Sequence, residues 1–124
     1  MTVAQFPEGR VEVSRDNSII RVTLIGWITE ALTELVQEKV EQELLWAESS
    51  FILYDGLYMN DPSLTLVLLM QSFHQRMSDR IARSAIVVPG YRLAFLSRLA
   101  FGQDEQKYRV FYNERDEALR WLRT

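Results

Sequence analysis

The 124-residue chain has no cysteine, one histidine, five glycines and three prolines. Without cysteine there is no disulfide scaffold, no thiolate metal ligand and no thiol nucleophile. A lone histidine, His74, cannot build a multi-histidine metal site and has no recognisable acid–base partner in the sequence. Glycine is too sparse for a phosphate-cradling loop, and "VVPGYRLAF" does not make one. Long apolar runs are missing too: the block from Leu64 to Met70 is interrupted by Thr65 and is far shorter than the roughly 20 residues of a membrane span. The opening "MTVAQFPEGR" shows neither a basic start before an apolar run nor a small-residue cleavage site. A cytoplasmic protein is therefore expected, with no metal and no cofactor. No linker, repeat or low-complexity tract divides the sequence, so residues 1–124 read as one domain.

What is present is an ordinary globular mixture, 48% hydrophobic and 25% charged, with an uneven distribution of charge. Residues 1–61 carry 4 basic side chains against 11 acidic ones, and residues 62–124 carry 10 against 6, which gives −7 and +4. Between His74 and Ala100 stand Arg76, Arg80, Arg83, Arg92 and Arg98 against Asp79 alone. Arg76, Arg80, Arg83 and Arg92 are accordingly candidates to face an anionic ligand or an acidic partner. Nucleic acid is not expected as a partner, because its usual footprint is a strongly basic domain.

Periodicity supplies the elements. "RVEVS" and "SIIRVTLIG" are β-rich runs joined by Arg15-Asp16-Asn17, as in a hairpin. In the second run Ile20, Val22 and Leu24 share one face and Ile19, Arg21, Thr23 and Ile25 the other, so part of that strand is covered on both sides. Leu32, Leu35, Val36, Val40, Leu44 and Ala47 then follow helical spacing, with Thr29 as the expected cap and glutamates lying mostly off the stripe. "FILYD" is a strand, and Asp55-Gly56 after it is expected to turn the chain.

In "NDPSLTLVLLM", Asp61 suits a helix cap, Pro62 the first helical position and Ser63 the second. Leu66, Met70, Phe73 and Met77 continue the apolar stripe. "SAIVVPG" is a buried strand closed by a turn, and a third helix covers Tyr91 to Phe101 with Leu93, Leu96, Leu99 and Ala100 inward. "KYRVFYN" is the last strand, and Asn113 caps a final helix docked by Ala118, Leu119, Trp121 and Leu122. The order ββαβαβαβα predicts an α/β fold: a five-stranded, mostly parallel sheet opened by an N-terminal hairpin and covered by about four helices.

Ser63 is the residue of most chemical interest. A hydroxyl in the first turn of a helix faces unpaired backbone N–H groups and the positive end of the dipole, where a phosphoryl group is well tolerated. Asp55, at a strand end, lacks the companion acids and the lysine that phosphate-accepting aspartates keep.

The hairpin with "LIGWIT", the strand "FILYDG", the turn "NDPSLTLVLLM", the strand "SAIVVP" and the ending "RVFYNERDEALRWL" together resemble STAS domains. This is the fold of the bacterial anti-sigma-factor antagonists, and the chain is similar to their short, stand-alone SpoIIAA-like members over nearly its whole length. The resemblance implies a regulatory, non-enzymatic protein-binding module. In the antagonists an Asp-Ser-Ser-Gly-Leu type turn leads into the second helix and its second serine is phosphorylated. Asp61-Pro62-Ser63-Leu64 matches that turn in length, with Ser63 at the phospho-acceptor position, a proline for the first serine and a leucine for the glycine. Asn60, Asp61 and Ser63 are thus the expected partner-binding and switch residues. The alternative is a small-molecule or lipid-binding domain of the same fold, suggested by Leu57, Tyr58 and Met59 beside the arginine-rich segment. Tyr54, Tyr58, Phe101 and Tyr112 are numerous enough to supply a homodimer surface.

Overall fold

A computed structural model describes residues 2–5, 8–46, 50–102 and 104–124. Among them six strands, β1 (Thr2–Gln5), β2 (Gly9–Asp16), β3 (Ile19–Gly26), β4 (Ser50–Met59), β5 (Ile81–Val88) and β6 (Tyr108–Tyr112), form one sheet in sequential order. Four α-helices, α1 (Glu30–Leu44), α2 (Leu64–Arg76), α3 (Tyr91–Phe101) and α4 (Arg115–Leu122), cover it, with a short 3-10 turn at Ser78–Arg80. The first two pairings are antiparallel and the other three parallel. The expected hairpin is therefore β2–β3, and β1 adds a sixth strand outside it.

Alternation along the strands explains why both faces are covered. Ile20, Ile52, Tyr54, Ile86 and Val88 face the larger core with Leu32, Val36, Val40 and Leu44 of α1, Leu66 and Phe73 of α2, and Leu93 and Ala94 of α3. Their neighbours Ile19, Leu53, Ala85 and Val87 face the opposite side, where Ala118 and Leu122 of α4 close a second core. A sequential parallel sheet with right-handed crossovers leaves α1, α2 and α3 in one layer. Each of these helices runs from the C-terminal edge of the sheet back toward its N-terminal edge.

Local chemistry sets the boundaries. Thr29 caps α1, its Oγ1 accepting from the Leu32 N–H at 3.2 Å. Ser63, not Asp61, caps α2: its Oγ accepts from the Leu66 N–H at 3.2 Å, so the helix begins at Leu64 and Ser63 is not a helical residue. Pro62 therefore lies outside the helix, before the cap, and the Asp61 carboxylate is engaged by Arg92 instead. Asp55-Gly56 does not turn the chain either. β4 continues to Met59, with a register shift against β3 between Thr23 and Ile25. Asn113 adopts φ 55° and does not cap α4, whose N-cap is Glu114 without a side-chain hydrogen bond. The expected inward position of Ala47 lies outside the described residues.

Candidate functional site

The C-terminal ends of β3, β4 and β5 form a rim at which the candidate residues meet. The Asn60 N–H donates to Gly26 O at 2.8 Å, which fastens the turn after β4 to the end of β3. Asp61 accepts from Arg92 Nη1 at 3.1 Å and so joins this turn to the first turn of α3. Ser63 follows, exposed, with its hydroxyl on the N-terminus of α2. Asn60, Asp61 and Ser63 are thus contiguous, and Arg92 is the candidate arginine that stands with them.

The other candidate arginines lie elsewhere, so the four do not form a single anion-facing patch. Arg76, at the far end of α2, sits 3.9 Å from Glu41 and over the Phe73 ring. Arg80 lies in the 3-10 turn before β5, at the opposite edge of the sheet from Arg92. Arg83 points to the α4 face, donating to Trp121 O at 2.9 Å and Thr124 Oγ1 at 3.0 Å while stacking over Trp121. Sequence proximity grouped residues that alternate between sheet faces and helix ends.

Large apolar side chains are exposed along the same C-terminal edge of the sheet. Trp27 is 50% exposed, Tyr58 70%, Leu64 66% and Tyr91 85%. Tyr91 leans edge-on to Tyr112 of β6, with ring centroids 5.8 Å apart. Trp27 and Tyr91 were not singled out from the sequence. Their signal was positional, because each aromatic follows a glycine at the C-terminal edge of a strand. Exposed aromatics gathered beside polar groups are the composition expected of a recognition surface rather than of a solvated edge.

Beneath the rim lies an apolar cavity of about 80 Å³, walled by Ile28, Met59, Pro62, Leu66, Leu93 and Phe101. Tyr54 at its floor shares a hydrogen bond of 2.9 Å with His74 Nε2. Phe73, Phe101 and Tyr108 pack around the imidazole, whose Nδ1 is buried without a partner. Burial, with a smaller contribution from the Lys107 charge, lowers the His74 pKa to about 3, so the ring is neutral at ordinary pH. Burial also pushes the Tyr54 hydroxyl far above its usual range. Both groups are held neutral and turned toward each other, an arrangement suited to ordering a core and not to moving protons to a ligand.

Asp55 is engaged as well. Arg115 Nη2 lies 2.7 Å from its Oδ2, and its Oδ1 accepts from the Leu57 N–H at 3.3 Å. The carboxylate clamps the start of α4 onto β4. Among the described residues no group of histidines and carboxylates is arranged to hold a metal ion, and no helix is long and apolar enough to cross a membrane.

No family model matches the sequence, and no curated protein matches it. Solved structures do resemble it. A protein from Shewanella loihica PV-4, described as an uncharacterised member of the DUF3478 family with a SpoIIAA-like fold, superposes with a TM-score of 0.69 over 98% of both chains at 18% identity. An anti-sigma factor antagonist from Mycobacterium paratuberculosis gives 0.66 at 12% identity, covering 92% of this chain and 93% of that one. The anti-sigma factor antagonist SpoIIAA in its unphosphorylated form gives 0.57 at 12% identity, over 89% and 96%. The chain folds as a STAS-like domain of the SpoIIAA-like kind.

Proposed function

We propose that this STAS-like domain is a non-enzymatic regulatory module of the cytoplasm that binds a protein partner through the rim at Asn60, Asp61 and Ser63, and that phosphorylation of Ser63 switches the contact. The observation that carries the reading is an exposed serine at a helix start, on a sheet edge that also exposes Trp27, Tyr58, Leu64 and Tyr91. The likeness to two anti-sigma factor antagonists supports the regulatory class.

Chemistry at Ser63 fits a switch. A kinase would transfer the terminal phosphoryl group of a nucleoside triphosphate to Oγ, with loss of the hydroxyl proton. The product would add a charge of roughly −1.5 to −2 beside the N-terminus of α2. The helix dipole and first-turn N–H groups stabilise that charge, while the neighbouring Asp61–Arg92 pair becomes open to competition for Arg92. An interface of apolar side chains around Ser63 would then have to desolvate the phosphate, and its affinity would fall.

The test is affinity capture from the native cell with wild-type protein and with a Trp27→Ala/Tyr58→Ala/Tyr91→Ala variant, read by quantitative mass spectrometry. A partner recovered with the first and lost with the second supports the reading, and equal recovery by both contradicts it. Phosphopeptide mapping of the native protein addresses the switch. Ser63 unmodified under every growth condition would remove phosphorylation while leaving the binding surface in place.

The cavity favours a second reading, a small apolar ligand held beneath the rim. Native mass spectrometry of gently purified protein would show a bound species, and a Leu66→Trp substitution that fills the space would abolish it.

A further inference from the structure

The helix layer carries opposite charges side by side. α1 holds Glu30, Glu34, Glu38, Glu41 and Glu43 against Lys39, whereas α2 and α3 contain no acidic residue and carry Arg76, Arg92 and Arg98. Glu34, Glu38, Glu41 and Leu45 follow one another at helical spacing, an acidic stripe on the outside of α1 that ends in an exposed leucine. The outer sides of α2 and α3 are apolar: Leu64 is 66% exposed, Leu68 53%, Phe95 62% and Leu99 43%. Gln71 Nε2 donates to Leu99 O at 3.3 Å, and Arg92 meets Asp61, so the two helices are held side by side and their apolar flanks adjoin. A surface of this kind calls for a cover.

We propose that this layer is a two-fold interface between two copies of the chain, in which α1 of each copy lies over α3 of the other and Leu64 and Leu68 of α2 meet near the axis. The order α1-α2-α3 in the layer follows from the sequential order of the sheet. A two-fold axis running along the helices reverses that order in the facing copy, bringing α1 opposite α3 and α2 opposite α2. The same contact is then made twice and the assembly closes as a dimer. Charge selects this axis. The alternative, with the axis across the helices, sets α1 on α1 and α3 on α3, glutamate against glutamate and arginine against arginine, which opposes association. An axis along the helices also preserves their direction, so Leu45 at the end of α1 meets Leu99 in the last turn of α3. Arg92, 81% exposed in its surface pair with Asp61, and Arg98 are the cations, and Glu34 and Glu38 the exposed glutamates, that the contact brings onto facing helices.

Sedimentation velocity on the whole chain, from micromolar to near-millimolar concentration, provides the test. Wild-type protein is expected to dimerise, with the dimer weakened by salt. A chain with Glu34→Arg and Glu38→Arg presents basic helices on both sides of the contact, and a chain with Arg92→Glu and Arg98→Glu presents acidic ones. Each alone is expected to remain monomeric. An equimolar mixture of the two is expected to form a heterodimer, which also shows that both variants are folded. A wild-type chain monomeric throughout, a dimer that survives in both variants, or a mixture that stays monomeric would each overturn the proposal.

Discussion

At the scale of single residues, several side chains are committed to structure in ways that can be measured. Ser63 is a helix cap as well as the proposed switch, so Ser63→Ala is expected to cost about 1 kcal/mol in urea unfolding, whereas Ser63→Asp, which can still cap, should cost much less. Asp55 and Arg115 form a half-shielded clamp, with side chains 11% and 40% exposed. Asp55→Ala strands the guanidinium beside α4 and is expected to destabilise by about 1–2 kcal/mol, the loss of a charge-assisted hydrogen bond discounted for solvent access. His74 sets a pH dependence. Its pKa falls from 6.5 unfolded to about 3 folded, so between those values the unfolded chain binds a proton that the native chain refuses. Stability is fully present above pH 6.5 and declines as pH falls toward about 3. Urea unfolding at a series of pH values should show this decline in wild-type protein and lose the histidine contribution in His74→Leu.

At the scale of elements, the sheet, its double-sided burial and the helical stripes were legible in the sequence because a period of 2 or 3.6 is a local property. The Ile19/Ile20 alternation indicated that part of β3 would be covered on both sides, and α4 supplies the second cover at Ile19. Leu122 anchors that cover at 1% exposure, and Leu122→Ala is expected to cost about 2–5 kcal/mol by leaving a cavity under α4, measurable by chemical denaturation. Boundaries were less legible. Asp61, Pro62 and Ser63 all suit a helix start, and the choice of Ser63 depends on which oxygen reaches the Leu66 N–H, a matter of backbone direction after β4. Leu99 illustrates the same limit: its spacing fits the inward stripe of α3, yet the space beneath is filled by Ala94, Ser97 and Ala100, and the leucine points outward.

At the scale of the whole molecule, the residues of the candidate site were half visible. Asn60, Asp61 and Ser63 are neighbours in sequence and remain neighbours in space, whereas Trp27 and Tyr91 reach Ser63's edge of the sheet only through the parallel arrangement of β3, β4 and β5. The dispersal of Arg76, Arg80, Arg83 and Arg92 has the same origin, because a chain that crosses the sheet repeatedly separates residues that are close in sequence. The proposed function rests on the surface presented at that edge and not on the fold itself. The most direct measurement is capture of a partner by the intact chain and by the Trp27→Ala/Tyr58→Ala/Tyr91→Ala variant, with circular dichroism confirming the same fold in both. A partner retained by the wild type and lost from the variant is the predicted result. A partner held equally by both would place recognition away from the Ser63 rim and contradict the proposed function.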